Sequence, residues 1–290
     1  MRLAQRYDRE LKKSFMTIRF EKVRINKGGA YVFFRDEIAI DLGTTYSVIA
    51  SRNRPRPQFI RVASSIALDA TTDQPLAFGD EAKITRGRKG MKVKVVPPIE
   101  RGVISRLDLI QDYLDYLLQF EESAFTLMRR IYLCAPWGAT PVELQSYLGC
   151  LNLPRTDIKI IREPFAAALG SGLDVYSEKP VTIADIGGGT FEVSTMYRGH
   201  MAACNSLRFA GVALDQMIET FFREKKNMLI SLEGAEWIKQ HHLKAVVDMN
   251  YNFEVSGHCR FGNRPLRVEV SVLELHQALS KGFQQFEEAL

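Results

Sequence analysis

Apolar positions along the chain fall into two spacings, and the change from one to the other marks its elements. From Ile38 to Ser51 the sequence IAIDLGTTYSVIAS runs apolar, breaks at Gly43-Thr44-Thr45, and resumes as an alternating segment. That order predicts strand, turn, strand. The same shape returns from Val181 to Tyr197, VTIADIGGGTFEVSTMY, with the break at Gly187, Gly188 and Gly189. Arg198-Gly199 then turns the chain into a third strand, His200 to Leu207. Arg130 to Ala135 and Ile158 to Ile161 read as buried strands, and Phe253 to Val255 and Leu266 to Val270 as a pair around a turn from Gly257 to Pro265.

Helical spacing fills the intervals. Ser105 with Asp108 three residues on predicts a capped helix with the stripe Leu107, Ile110, Leu114, Leu117 and Leu118. Thr140-Pro141-Val142-Glu143 places a cap, a proline at the first helical position and a reciprocal acid before a helix reaching about Gly149. Glu163-Pro164 leads into a small-residue helix, Phe165 to Leu169, ended by Gly170. Gly211 precedes a helix with Leu214, Met217, Ile218, Phe221 and Phe222, and Leu232 to Leu243 follows. A last amphipathic helix carries Val272, Leu275, Leu279, Phe283, Phe286 and Leu290. Mixed strands and helices over 290 residues predict an α/β protein with room for two domains.

Charge changes the picture at one end. Residues 1–35 hold ten Lys and Arg against Asp8, Glu10 and Glu21, while the other 29 basic and 31 acidic residues nearly cancel. A near-neutral body argues against nucleic acid as a partner. In residues 1–20, Leu3, Tyr7, Leu11, Phe15 and Ile18 recur at helical spacing opposite Arg2, Arg6, Arg9, Lys12 and Lys13. Two readings stand: a basic amphipathic helix lying on an anionic membrane, or a solvated extension. Met16 offers a later start, and Tyr31 to Phe34 either begins the core or inserts at an interface. Four widely spaced cysteines without a CxxC pair argue against a zinc site or disulfide framework and fit a reducing cytosol. No apolar run reaches the length of a membrane span.

Candidate chemistry sits in the two breaks. Each follows a strand carrying one carboxylate, Asp41 or Asp185, and 144 residues separate these two acids. Glycines let backbone N–H groups approach a ligand closely, and a carboxylate beside such a turn holds a divalent ion through water. One glycine hairpin is a common structural feature. Two, each led by an acid, suggest similar halves facing one another across a phosphate chain.

IDLGTTYS, DIGGGTFEVS and REPFAAALGSG, in that order, resemble the two phosphate loops and the connecting helix of the actin superfamily. That superfamily includes actins, sugar kinases and heat-shock chaperones. The two loops read like the 70-kilodalton heat-shock chaperones, but that family has a larger insertion between them. FFRDEIAIDLGT, FGDEAKITRGR, VVPPIERGVISRLD, AGVALDQMIETFFREKKNMLIS and GAEWIK resemble bacterial actins of the MreB type, over roughly Phe33 to Leu290. The resemblance implies an actin-like two-domain ATPase fold, with duplicated ribonuclease H-like halves around a nucleotide cleft. Residues 1–35 would be an N-terminal extension, 36–172 the first domain and 173–270 the second. Residues 271–290 would form a helix returning toward the first domain.

The resemblance also implies ATP and Mg²⁺ as cofactors. Asp41 and Asp185 would hold the metal through water. Gly43, Thr44 and Thr45 would cradle the outer phosphates from one side and Gly187, Gly188, Gly189 and Thr190 from the other. Glu163 would orient the attacking water, Glu236 and Lys239 would contact ribose and adenine, and Gly211 would let the backbone pass close to the nucleotide. Four departures stand against the pattern. No Gly-rich adenosine-binding turn follows residue 290, so the base-binding wall is expected to be incomplete and the last helix partly uncovered. Val212 and Ala213 replace polar residues, Arg162 replaces an acid, and Thr45-Tyr46 replaces Ala-Asn.

The implied function is an ATP-binding cytoskeletal filament in rod-shape determination, with ATP hydrolysis coupled to polymerisation. It would be cytoplasmic and peripheral to the inner membrane. Partners would be further copies of itself, the membrane surface through the N-terminal segment, and the cell-wall elongation machinery. The alternatives are a non-hydrolysing actin-like scaffold or regulator and a chaperone-type ATPase. No second-substrate pocket for a sugar kinase is recognisable.

Overall fold

The computed structural model describes residues 35–51, 59–85, 92–120, 128–149, 156–243, 251–262 and 264–290. The N-terminal segment with helical spacing, Met16 and the Tyr31 to Phe34 patch lie outside the described residues.

Both glycine hairpins form. Strands β1 (Arg35–Leu42) and β2 (Tyr46–Ser51) pair antiparallel, with Asp41 opposite Val48 and Leu42 opposite Ser47. β3 (Phe59–Ala63) extends this hairpin on the β2 side, while β9 (Met128–Ala135) and β10 (Thr156–Arg162) add in parallel beyond β1. The sheet order is β10-β9-β1-β2-β3. Parallel strands are covered on both faces. Here Ile38, Ile40, Ile131 and Leu133 have no exposed surface and form one cluster with the stripe of helix α2 (Ile110–Leu118).

A small sheet, β5-β4-β6, is inserted between β3 and α2, built from β4 (Ile66–Asp69), β5 (Pro75–Phe78) and β6 (Val93–Val96). Helix α1 (Gly79–Thr85) follows β5, and a short hairpin, β7 (Ile99–Glu100) with β8 (Val103–Ile104), leads toward α2. Helix α3 (Pro141–Gly149) joins β9 to β10, and α4 (Glu163–Gly170) follows β10.

The second hairpin, β11 (Val181–Ile186) with β12 (Phe191–Tyr197), is extended by β13 (His200–Leu207) into a three-stranded antiparallel sheet. The β12–β13 turn needs left-handed backbone at both Arg198 (φ 50°) and Gly199 (φ 75°), as two-residue hairpin turns do. Helix α5 (Gly211–Lys225), strand β14 (Met228–Leu229) and helix α6 (Leu232–His242) come next. β15 (Asn252–Cys259) and β16 (Pro265–Ser271) then complete the third sheet, β14-β15-β16, and the described chain closes with α7 (Val272–Ala289).

Several boundaries differ from the sequence reading, each for a local reason. The capped helix from Ser105 does not form. Ser105 Oγ donates to Pro97 O, Asp108 is taken by Arg106, Leu107 is 65% exposed, and α2 begins at Ile110. The box at Thr140 does form, with Thr140 N–H donating to Glu143 Oε2 at 2.7 Å and Glu143 N–H to Thr140 Oγ1 at 3.3 Å. Gly170 stays helical, and the left-handed residue beyond α4 is Gly172, φ 76°. Gly257 lies inside β15 rather than in a turn, because β14 crosses there and a Cβ would meet Leu229 O at 2.6 Å.

The last helix is better covered than expected. A capping box between Ser271 and Glu274 starts α7, and Val272, Leu275 and Leu279 have no exposed surface. Its main packing is on α5, β13 and β16 rather than back toward the first sheet. Gly282 admits Leu214 and Met217 of α5 against the helix backbone, while Leu273 near the helix start and Leu290 past its end stay exposed. No helix among the described residues is long and apolar enough to cross a membrane.

Candidate functional site

The first turn requires glycine at its start, because a Cβ on Gly43 would run into the carbonyl oxygen of Tyr46. It is backed by a buried chain of hydroxyls. Ser64 Oγ donates to Gly43 O at 2.6 Å, Ser47 and Ser64 hydroxyls lie 2.9 Å apart, and Tyr113 OH reaches Ser47 Oγ and Ala63 O at 3.1 Å. Buried hydroxyls need such partners, so the network fixes the turn on the five-stranded sheet.

The second turn is held differently. Gly187 N–H donates to Thr190 O at 2.9 Å, closing it. Its other carbonyls take the first amides of α5: Gly211 N–H donates to Gly187 O at 3.1 Å and Val212 N–H to Gly188 O at 2.8 Å. A helix leaves its first amides without internal partners, and α5 has no side-chain cap, so turn and helix complete one another.

The two turns face each other at contact distance. A Cβ on Gly188 would collide with the Thr45 side chain, and one on Gly189 with Thr44 and with the Arg101 backbone. Arg101-Gly102, left-handed at φ 50° and 73°, presses in from the β7–β8 hairpin. A Cβ on Gly102 would meet Thr190 Cγ2 at 2.9 Å.

A cavity of about 280 Å³ opens between the turns, bounded by Asp41, Gly43, Thr44, Glu163, Asp185 and the loop Gly187 to Thr190. The three acids thus converge on one space. Loss of water around the cavity floor, then the nearby Asp185, raises the Asp41 carboxyl to about 6, although its side chain is open to the cavity. Half-buried Glu163 is pushed well up, by burial first and then by Asp41, Glu192 and Asp185, with Arg162 opposing. Burial and Glu192 also raise Asp185. Burial lifts the Cys134 thiol on the same wall. Three acids that resist ionising together, beside a cradle that side chains on its glycines would fill, form an environment a cation would relieve. Among the described residues, no group of three His, Cys, Asp or Glu side chains converges closely enough to ligate one ion. The donor set therefore fits holding through water, with Asp41 and Asp185 on opposite sides, better than a direct protein cage.

A second cavity of about 230 Å³ shares Thr44 with the first and is lined by Thr45, Ser65, Lys83, Val212, Asp215 and Glu236 among others. Lys83 Nζ donates to Tyr46 OH at 3.0 Å and to Glu236 Oε2 at 2.9 Å, so it ties α1 to α6 across this space. Burial lowers its ammonium pKa, but those two bonds more than offset this and the net shift is upward. Lys239 Nζ donates to Gly211 O and pairs with the buried Asp215, both at 2.7 Å. Burial raises Asp215 to about 6 against the opposing pull of Lys239.

Asp41, Gly43, Thr44, Glu163, Asp185 and the loop Gly187 to Thr190 therefore share one cavity. Thr45 and Glu236 line the other, and Gly211 and Lys239 meet at the start of α5. Glu236 and Lys239 are each engaged by an opposite charge. Lys83, Asp215 and Gly102 were not singled out in the sequence. Asp215 is the one acid in the apolar stretch VALDQMI, which is the signal that marks it.

The chain is 28% identical over 210 residues to the cell shape-determining protein Mbl of Bacillus cereus, covering 71% of this chain and 62% of that protein. It is 29% identical over 265 residues to the cell shape-determining protein MreB of Pasteurella multocida, covering 86% and 74%. Its fold is that of MreB 5 of Spiroplasma citri bound to AMPPNP (TM-score 0.79, 23% identity, 88% of this chain and 77% of that one). The MamK double helical filament shares it at TM-score 0.71 and 16% identity, covering 88% and 78%. The family model for MreB/Mbl protein matches residues 35–290, and with the paired turns and shared fold it establishes that the chain belongs to the MreB/Mbl family.

Proposed function

We propose that the chain binds ATP with Mg²⁺ between the two glycine turns and uses that binding to control its assembly into filaments. These filaments would lie on the inner membrane in the cytoplasm and act in cell-shape determination. The observation that carries the reading is the placement of Asp41, Glu163 and Asp185 around one cavity between two turns that only glycine permits. The curated relatives Mbl and MreB are cell shape-determining proteins, and MreB 5 has been seen with AMPPNP and with ADP.

In this reading Gly43, Thr44 and Thr45 meet the phosphates from one side and Gly187 to Thr190 from the other, with backbone N–H groups as donors. Asp41 and Asp185 hold Mg²⁺ through water. When bound, the metal neutralises phosphate charge and polarises a phosphoryl oxygen. Glu163 orients a water toward the terminal phosphate, and burial with the neighbouring acids raises its pKa above the ordinary carboxylate value. Residues 36–172 and 173–270 act as the closing domains, with self-association following their closure. The basic segment 1–35 holds the filament on the anionic membrane surface, and the cell-wall elongation machinery is the partner there.

The test is sedimentation and electron microscopy on liposomes with Mg²⁺-ATP. Filaments that require nucleotide are the expected result, and a strictly monomeric protein at high concentration overturns the reading. One observation favours a second reading, a non-hydrolysing scaffold. Glu236 and Lys239, the residues assigned to ribose and base, are occupied by Lys83 and by Asp215 with Gly211. Absence of ATP affinity with filaments retained selects the scaffold.

A further inference from the structure

Behind the cavity, one three-residue loop is held from both sides. Pro136-Trp137-Gly138 leaves the end of β9, two residues beyond Cys134. On one side Arg162 Nη1 donates to Pro136 O at 2.7 Å, and its guanidinium lies 5.6 Å over the Trp137 ring. On the other, the buried Glu192 accepts Trp137 N–H at 3.1 Å on one oxygen and Gly138 N–H at 3.2 Å on the other, with Ser206 Oγ–H at 2.6 Å. The approach is close: a Cβ on Gly138 would meet Ser206 Oγ at 2.7 Å.

The two grips belong to the two sides of the candidate site. Arg162 is the last residue of β10 and immediately precedes Glu163. Glu192 is the direct cross-strand partner of Asp185. Like charges placed directly opposite in a hairpin repel. Charge-assisted bonds from the loop amides and Ser206 satisfy Glu192 where it stands, next to the acid that faces the cavity. A run of contacts therefore leads from Glu163 through Arg162, the loop and Glu192 to Asp185.

We propose that Arg162 and Glu192 are a coupled pair of positioning residues that fix the 136–138 loop and thereby the spacing of Glu163 from Asp185. This rests on the nucleotide reading for its consequence, though not for its geometry.

The full chain, R162A, R162K, E192Q and R162A/E192Q are compared by amide hydrogen exchange and by affinity for ATP with Mg²⁺. R162A is expected to speed exchange at Trp137 and Gly138 about tenfold, although it bonds to neither amide, and R162K to restore most of the protection. R162A and E192Q are each expected to weaken Mg²⁺-ATP about tenfold, with the double variant within about twofold of the weaker single. Unchanged exchange in R162A, or single effects that multiply in the double, overturns the coupling. If the unsubstituted chain binds no ATP while R162A still loosens both amides, the nucleotide reading falls and the coupled grip stands.

Discussion

The two glycine turns are nearly the same in sequence and are built into different surroundings. The first hangs from β1, which is flanked by β2 on one edge and by parallel β9 on the other. Buried serines and Tyr113 hold it to that sheet. The second hangs from β11, whose burial alternates half-buried and exposed and which pairs only with β12 among the described strands. Its support comes from the first amides of α5, and α5 in turn is tied to α6 through Asp215 and Lys239. The same local motif is thus anchored to a core on one side and to a helix start on the other. The first turn is bonded to the five-stranded sheet, and the second to the start of α5.

The largest test of that difference is in the cores. Leu117→Ala on α2 and Leu279→Ala on α7 each remove a side chain with no exposed surface. Each is expected to cost about 2–5 kcal/mol in urea unfolding, with Leu117 at the upper end because a five-stranded sheet surrounds it. An equal loss would mean that the two sides are equally supported. Next in size, D41N and D185N are each expected to weaken Mg²⁺-ATP about a hundredfold in a titration, on the order of 3 kcal/mol. A loss confined to one of them would break the symmetry of the proposed metal site.

A third test uses pH. Asp41, Glu163 and Asp185 have folded-state pKa values raised above their ordinary ones. The folded chain then binds more protons than the unfolded one, so these groups favour the fold at low pH and lose that advantage as pH rises. For Asp41 the window runs from about 4 to about 6, between the ordinary value 3.8 and the raised one. Asp69, Asp108, Asp157 and Glu274 are lowered and act with the opposite sign, below their ordinary values. The melting curve of D41N should therefore slope less between pH 4 and 6 than that of the unsubstituted protein, roughly in proportion to the one group removed. Identical slopes would show that Asp41 ionises freely.

The smallest effect expected is at the Lys83–Glu236 pair, whose side chains are 25% and 16% exposed. A double-mutant cycle with K83M and E236Q should give a coupling of roughly 0.5–1 kcal/mol, shrinking with added salt. A larger coupling that nucleotide abolishes would make this pair a latch over the second cavity.

Much of the fold was legible because short-range chemistry dictates it. The strand at Phe191 to Tyr197, the turn at Arg198-Gly199 and the box at Thr140 each depend on a few residues and formed as read, although the strand's buried positions after Phe191 are Glu192, Ser194 and Met196. Ser105 and Asp108 have the same box spacing and failed, since Pro97 O and Arg106 offered those side chains other partners. In the site, the acids and glycines were legible from their order. Lys83 was not, as its partners Tyr46 and Glu236 lie far from it in the chain.

The chain alone determined two acid-led glycine turns, the strands that carry them and the α/β class, because these follow from spacing and backbone freedom within a dozen residues. Tertiary structure decided that the turns face each other closely enough to exclude a Cβ. It also set Asp41, Glu163 and Asp185 around one cavity and committed Glu236 and Lys239 to other charges. Those outcomes depend on which distant residues share a small, poorly hydrated space, where burial and a neighbour's charge set the state of every acid.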